Sequence, residues 1–161
     1  MNLEIRKEHE WLQQLVGEWS SEALATMKQG EPPELFKGTE NVRSVGGVWI
    51  VADGRAEMPG GGTGTMIMTL GFDPRTGRFV GSWVGSMMTH MWLYDGVPDA
   101  GGMTLPLEAE GPSMAGDGTL ARYKDVIEVR SPDERVMTSH VLGLDGAWRQ
   151  FMTATYRRKK S

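Results

Sequence analysis

The sequence predicts an all-β protein, an antiparallel β-barrel of about ten strands preceded by one short N-terminal helix. Through most of the chain apolar and polar residues alternate with the period of two that is typical of strands. Gly, Pro, Asp and Asn recur between these runs, and glycine, at 22 of 161 residues, reaches about twice its ordinary share. So many strands without intervening helices must stack as a sandwich or close into a barrel. We favour the barrel, because closure leaves no exposed strand edge.

Length, charge and cysteine content limit the classes of function. A chain of 161 residues suits one domain, which we place at 1–161, with the helix at 4–15 and the barrel at 17–158. The balance of 17 Lys and Arg against 21 Asp and Glu argues against a nucleic-acid partner, which would need a basic face. The absence of cysteine excludes disulfides and thiolate chemistry. Without a signal-peptide core or an apolar run of membrane-spanning length, we expect a cytoplasmic protein.

The segment 4–15 is the one helical candidate. Ile5, Leu12 and Leu15 recur at helical spacing, and Gly17 follows as a stop. The helix is short and partly polar, so we expect it to cap one open end of the barrel. His9, on this helix, is expected to be exposed.

The strands follow in order, each ended by a turn signal. The clearest turn is Asp73–Gly77, where Asp73 accepts backbone hydrogen bonds, Pro74 presets φ and Gly77 supplies a positive φ. In the strand after it, Gly81-x-Trp83-x-Gly85 leaves room beside a large ring. The predicted strands are 18–28, 36–45, 48–58, 65–72, 78–86, 91–94, 102–110, 120–130, 135–144 and 147–157.

The N-terminal segment Leu15-Val-Gly-Glu-Trp19 resembles the Gly-x-Trp opening of lipocalin and calycin barrels. In such barrels an Arg of the last strand packs across this Trp, and 155–158 offers that Arg. The resemblance implies a cation–π closure of the barrel end, worth about 1 kcal/mol beyond burial.

A longer segment, 71–87 (GFDPRTGRFVGSWVGSM), resembles the signature of DUF1579, a bacterial family of unknown function. With Val45–Trp49 and Tyr156-Arg157, the resemblance spans nearly the whole chain. It implies a lipocalin-like barrel and supplies no catalytic residues. Relatives commonly carry an acidic residue after the Trp-Val pair, where this chain has Gly85.

The candidate site is a cavity inside the barrel. A barrel of this size is large enough to hold one small ligand, and 12 methionines supply adaptable apolar side chains for its wall. We therefore predict a small apolar or amphipathic ligand. Alternation shows which residues share a strand face but not which face points inward. A shift of one residue in strand register would therefore turn the predicted ligand-binding residues outward. The predicted ligand-binding residues are Trp49, Met66, Met68, Trp83, Met87, Tyr94 and His140.

Two histidines are candidates for chemistry. If the strand face that carries His140 points inward, this residue is placed to ligate haem iron or to act as an acid or base. The alternative is a hydrogen-bonded or surface histidine. His90, beside Met88 and Met91 at a predicted rim, is an axial haem or copper ligand, a rim residue or a homodimer contact. Haem is therefore the one cofactor considered, and the absence of His-Glu-x-x-His argues against a structural metal site.

Three functions remain open at this level. The first is a small-molecule binding protein. The second is an enzyme on the same barrel, a hydrolase, an isomerase or a haem-dependent catalyst. The third is an oligomeric scaffold with a filled core. The direction in which the strand faces point decides between a cavity and a filled core.

Overall fold

The computed structural model describes residues 3–26, 30–58, 60–97, 99 and 101–160. In these ranges the chain forms one helix, α1 (Lys7–Gln13), and ten strands. The strands are β1 (Gly17–Ala25), β2 (Glu34–Val45), β3 (Trp49–Glu57), β4 (Thr63–Asp73), β5 (Arg78–Gly85), β6 (Trp92–Gly96), β7 (Thr104–Pro112), β8 (Leu120–Ser131), β9 (Glu134–Leu142) and β10 (Trp148–Arg158). The predicted end of the first strand, Lys28, lies outside the described residues.

The strands form a closed antiparallel barrel, as the sequence predicts. Each strand pairs with its neighbours along the chain, and β1 pairs with β10 to complete the ring. The closing register runs from Trp19 opposite Arg158 to Ala25 opposite Met152. Closure satisfies the backbone groups that two edge strands would otherwise expose. No helix in the described ranges is long and apolar enough to cross a bilayer.

The hairpin between β4 and β5 has the predicted turn. Asp73 Oδ1 accepts a hydrogen bond from the Arg75 N–H (2.9 Å), and the Gly77 N–H donates to Asp73 O (2.8 Å). Gly77 has a φ of 69°, in the left-handed region that glycine adopts without steric cost. This turn sets Phe72 opposite Phe79 and so fixes the register of the pair.

The helix α1 is shorter than predicted and closes one end of the barrel. It begins after Arg6, whose N–H donates to His9 Nδ1 (2.9 Å). Leu12 and Leu15 are fully buried against the end of the barrel. The Trp11 indole N–H donates to Gly102 O (2.7 Å).

The expectation that His9 is exposed is wrong. Its side chain is buried, and Nε2 lies 3.0 Å from Phe72 O on β4. Since Nδ1 accepts the Arg6 N–H, Nε2 must carry the proton that reaches the Phe72 carbonyl. One neutral imidazole thus caps α1 and ties it to the barrel, which its position among polar neighbours in the sequence did not reveal.

Arg158 completes the helix end of the barrel and confirms the expected closure. Its guanidinium lies 4.3 Å from the ring centroid of the fully buried Trp19. Nη1 and Nη2 donate to Val16 O (2.7 Å) and Gln14 O (2.9 Å). The guanidinium occupies the space that a Cβ on Gly17 would fill, and Gly17 has a φ of 138°. Both facts restrict this position to glycine.

Candidate ligand-binding site

The interior of the barrel is sealed at the helix end and accessible from the other end, here called the mouth. The mouth is formed by the connections that follow β1, β3, β5, β7 and β9. Interior side chains near the helix, such as Ile50, Leu70 and Leu105, are fully buried. Interior side chains nearer the mouth, such as Met66 and Trp83, remain partly accessible. Solvent therefore enters the barrel from the mouth.

The two sides of the interior differ in the size of their side chains. Strands β1, β2 and β3 carry mostly small residues there, whereas β4 to β6, β9 and β10 carry Met, Trp and Tyr. A Cβ built on Gly54 would meet Thr39 O at 3.7 Å, an ordinary van der Waals contact, whereas a Cβ on Gly38 would lie 2.5 Å from Arg55 O. The small residues are Ser21, Ala23, Gly38, Ala52, Gly54, Ala56 and Ala154; the large ones are Met66, Met68, Trp83, Trp92, Tyr94 and Met137.

Four of the predicted ligand-binding residues line this interior. Met66, Met68 and Trp83 lie together, since Met68 pairs with Trp83 and Met66 is two residues along the same face. Tyr94 lies on β6 opposite Gly81 and is buried. Met87 lies in the connection after β5 at the mouth, where its side chain is 40% exposed. Together these residues form one continuous path from the mouth to the middle of the barrel.

The predicted facing is wrong for the other two residues. Trp49 is 40% exposed, and its ring covers the outer face of Gly71, its partner on β4. His140 pairs with Lys124 on the outer face, and its Nε2 lies 3.0 Å from Thr138 Oγ1. Burial and the neighbouring Lys124 lower the pKa of His140. Neither side chain contributes to the interior.

The β9 strand shows why this prediction failed. Arg135, Met137, Ser139 and Val141 point inward, because they pair with the interior residues of β8. The inward row therefore contains an arginine and a serine, while the outward row contains Val136 and Leu142. Polarity is inverted on this strand, so the apolar row, on which the sequence argument relied, faces outward.

His90 lies at the mouth, as expected for a rim residue. Its Nε2 lies 3.0 Å from Glu110 O, and its ring packs edge-to-face on Trp92 (4.8 Å between centroids). Trp92 packs in the same way on Tyr123 (4.9 Å), and Tyr123 on Phe151 (6.3 Å). These rings form an aromatic strip along one side of the mouth.

Two polar clusters lie inside the barrel that sequence reasoning missed. In the first, Arg135 forms an ion pair with Glu40 across the interior. The Arg135 side chain is 2% exposed, and its guanidinium stacks on Tyr156 (3.9 Å) and Trp19 (4.8 Å). Its Nε makes no hydrogen bond within the described structure. The arginine is therefore held by one carboxylate and two aromatic faces.

The second cluster centres on Asp125. The Tyr94 hydroxyl donates to Asp125 Oδ2 (2.5 Å), and Ser139 also hydrogen-bonds this carboxylate. Burial raises the pKa of Asp125, and the two hydrogen bonds partly oppose that rise. Burial and the adjacent carboxylate also raise the pKa of Tyr94 well above its usual value. Asp125 is not fully buried and keeps some accessible surface.

The sequence does contain a signal for these clusters. Asp125 occupies the middle of the otherwise apolar row Tyr123, Ile127 and Val129, and Glu40 lies between Gly38 and Val42 in the same way. A charged residue within an apolar strand face is either an error in the assignment of that face or a buried polar site. The structure places both residues on the inward face of the barrel, where each is only partly accessible.

A groove on the outer surface is separate from this interior. It has a volume of about 530 Å³ and follows two cross-strand rows on β1 to β5. Side chains on it include Asn41, Asp53, Arg55 and Thr65, which are exposed and mostly polar. Its lining also includes the apolar side chains of Ile67 and Val84 and the largely buried Glu40.

Comparison with known structures supports the barrel fold. Rv2717c from M. tuberculosis is similar, with a TM-score of 0.69 and 12% identity over 98% of this chain and 100% of that one. The S-type phycobiliprotein lyase CPES from Guillardia theta has a TM-score of 0.62 and 16% identity over 94% and 92%. The barrel EF1p2_mFAP2b bound to DFHBI has a TM-score of 0.51 and 14% identity over 94% and 99%.

The sequence comparisons give a family and no characterised relative. No curated protein matches the chain at a significant level. The profile of DUF1579, described as a protein family of unknown function, matches residues 4–158. This match spans α1 and all ten strands, including the Asp73–Gly77 turn and the Trp19–Arg158 closure. The chain is therefore a member of the DUF1579 family.

Proposed function

We propose that this protein binds one small amphipathic ligand inside the barrel. The carrying observation is the combination of an accessible apolar wall with a polar floor formed by Asp125, Tyr94 and the Glu40–Arg135 pair. Burying such polar groups costs free energy unless they are matched. A filled scaffold core would gain more from apolar side chains at these positions.

Each part of the site has a distinct role in this proposal. Met66, Met68 and Trp83 contact the apolar part of the ligand, because unbranched thioethers adapt to its shape. Tyr94 belongs to the floor and meets the polar end. Met87, at the mouth, covers the entry path. Similar barrels support the idea, since one of them was solved with DFHBI bound and another is named as a phycobiliprotein lyase.

A solvatochromic dye tests the proposal. Prodan, which is neutral and amphipathic, should bind in a saturable one-to-one manner with a blue-shifted emission. Gly54→Leu places a large side chain on the small-residue wall, where the added Cβ meets ordinary contacts, and should weaken binding about tenfold or more, through lost contact volume. Thr65→Leu adds the same side chain to the exposed outer face and should leave binding unchanged.

Two fluorescence results would contradict a ligand site inside the barrel. Prodan emission that rises without saturation contradicts an interior site. An equal rise in emission with Gly54→Leu and Thr65→Leu contradicts it as well. Ala23→Leu, on another strand of the same wall, serves as a second blocking variant if Gly54→Leu does not fold. Melting temperatures of all variants establish that a change in binding is not a loss of structure.

One observation favours a second candidate function, an enzyme that uses acid–base chemistry. Tyr94 and Asp125 form a hydrogen-bonded pair at the cavity, and a carboxylate with a raised pKa is suited to take a proton near neutral pH. The probe 5-nitrobenzisoxazole needs only one base, which removes its ring C–H proton while the N–O bond breaks to give a coloured phenolate. Turnover in the wild type that is lost in Asp125→Asn supports the enzyme, and equal rates exclude it for this pair.

We also propose that the protein forms a homodimer through the surface after β5. Met88, Met91 and Leu93 are 42%, 55% and 65% exposed, and contiguous exposed Met and Leu side chains are typical of contact surfaces. Light scattering should show a dimer that Met91→Glu converts to a monomer. A monomeric wild type contradicts this part of the proposal.

A further inference from the structure

Asp125 is the one carboxylate of the polar floor without a cationic partner in the described part of the chain. The ion pairs found there do not include it. Its hydrogen-bond donors, Tyr94 and Ser139, are neutral hydroxyls. His140 and Lys124 are adjacent in the sheet but project from the outer face.

The neighbouring charges do not balance Asp125. Arg135 is already paired with Glu40 and stacked on Tyr156, so this cluster is neutral as a unit. Arg158, at the helix end, is held by Asp133 and two backbone carbonyls, so Asp125 has no cation of its own among the described interior residues. An isolated buried carboxylate is costly, and either a proton or a bound cation removes that cost.

The surroundings of Asp125 suit an organic cation. The interior rings of Tyr156, Trp83 and Trp92 remain partly accessible around the cavity. Aromatic faces attract ammonium groups through the ring quadrupole, and the attraction grows when water is excluded. On the other side of the same interior lie the small residues Ser21, Gly38 and Ala52.

We infer that the ligand is a cationic amphiphile, an apolar body with a protonated amine that pairs with the Asp125 carboxylate. This inference rests on the proposed function, since it requires the interior site. The ammonium donates to the Asp125 oxygens and lies against the aromatic rings. The apolar body extends past Met68 and Met66 toward the mouth. An anionic head group would face an unmatched carboxylate and is disfavoured.

Three eight-carbon probes separate the head-group preference from binding itself. Octylammonium, 1-octanol and octanoate carry a cationic, a neutral and an anionic head group on a linear alkyl chain. Displacement of prodan and titration calorimetry at neutral pH give their affinities. Octylammonium should bind at least tenfold more tightly than octanol, and octanoate more weakly than both.

Matched variants assign the preference to one carboxylate. Asp125→Asn keeps an acceptor for the Tyr94 hydroxyl and removes the charge. It should lower octylammonium affinity about tenfold while leaving octanol affinity unchanged. Asp53→Asn makes the same change on the outer face, where Asp53 is exposed, and should affect neither probe.

The outcomes distinguish the existence of an interior site from the cationic character of its ligand. Octanol and octylammonium binding with equal affinity, or octylammonium affinity unaffected by Asp125→Asn, overturns the cationic ligand and leaves the interior site intact. Tighter binding of octanoate overturns it as well. Binding of none of the three probes, together with a failure of prodan to bind, overturns both.

Discussion

Removing the charge of Glu40 should destabilise the barrel strongly. Glu40 is the one carboxylate paired with Arg135, whose side chain is 2% exposed, and the Glu40 side chain is itself only 14% exposed. Glu40→Gln keeps the size of the side chain and leaves an interior cation without a counter-charge. Breaking a buried pair by removing one partner costs about 3–5 kcal/mol.

Two features of the structure limit the loss of stability expected for Glu40→Gln. The stacking of Arg135 on Tyr156 and Trp19 survives the substitution and retains about 0.5–2 kcal/mol of favourable interaction. The glutamine oxygen also remains as an acceptor. We therefore expect a loss of about 3 kcal/mol, the lower end of the range. A domain with a stability of about 5–15 kcal/mol remains folded after such a loss, so the effect is measurable.

Urea denaturation followed by tryptophan fluorescence and circular dichroism measures the effect. The double variant Glu40→Gln/Arg135→Met should lose less stability than the sum of the single variants, with a coupling of about 1–3 kcal/mol. The matched control is the exposed pair Glu128–Arg130 on β8, whose side chains are 44% and 52% exposed at an N–O distance of 3.3 Å. Glu128→Gln should cost less than about 1 kcal/mol.

Two results would contradict the expected loss of stability. Equal losses for Glu40→Gln and Glu128→Gln would show that burial does not govern the Glu40–Arg135 interaction. Strict additivity in the double variant would show that the two residues do not interact in solution. Either result would also remove the premise that Arg135 is already neutralised within the interior.

Three further predictions concern the Trp19–Arg158 closure, the small-residue wall and the pH dependence of stability. Arg158→Lys should lower the free energy of unfolding in urea by about 2 kcal/mol. Lysine cannot keep the hydrogen bonds to both helix-end carbonyls together with the stacking on Trp19. The control Arg157→Lys, at an exposed neighbouring residue, should leave the free energy of unfolding unchanged. Gly54→Ala should raise stability by about 0.4–1 kcal/mol, since the added Cβ meets ordinary contacts, and a loss would show that the wall is already filled. Stability should fall as pH rises through the raised pKa of Asp125, because the folded state binds this proton more tightly than the unfolded state. Asp125→Asn should remove this pH-dependent loss of stability and raise the melting temperature at neutral pH. If the variant shows the same pH dependence of stability as the wild type between about pH 4 and neutrality, Asp125 is not the group responsible.

Much of the fold was predictable because it depends on local rules. The Asp73–Gly77 turn requires residue types that few other sequences satisfy, and its register follows from them. Trp19 and the terminal arginines carried the closure, because a large ring and a cation at fixed chain positions meet only when the first and last strands pair. The length of α1 was overestimated, since the helix begins at Lys7, after the Arg6 N-cap, and ends at Gln13.

The candidate site was predictable only in part. Met66, Met68 and Trp83 were found because an apolar row between clear turns points inward in a barrel. His140 was placed on the wrong face, because the inward row of β9 contains Arg135 and Ser139. Alternation gives the relation between neighbours and not the direction of the whole row.

Local sequence patterns were enough to predict a barrel with a closed helix end, since period and turn chemistry are properties of neighbouring residues. The meeting points of the polar groups depend instead on how the strands close around the interior. Glu40 and Arg135 are 95 residues apart, and Tyr94 and Asp125 are 31 apart, so no local pattern joins them. Ring closure brings these strands around one interior, where the loss of water makes a carboxylate, an arginine and a tyrosine depend on one another. That dependence is the physical basis of the proposed site.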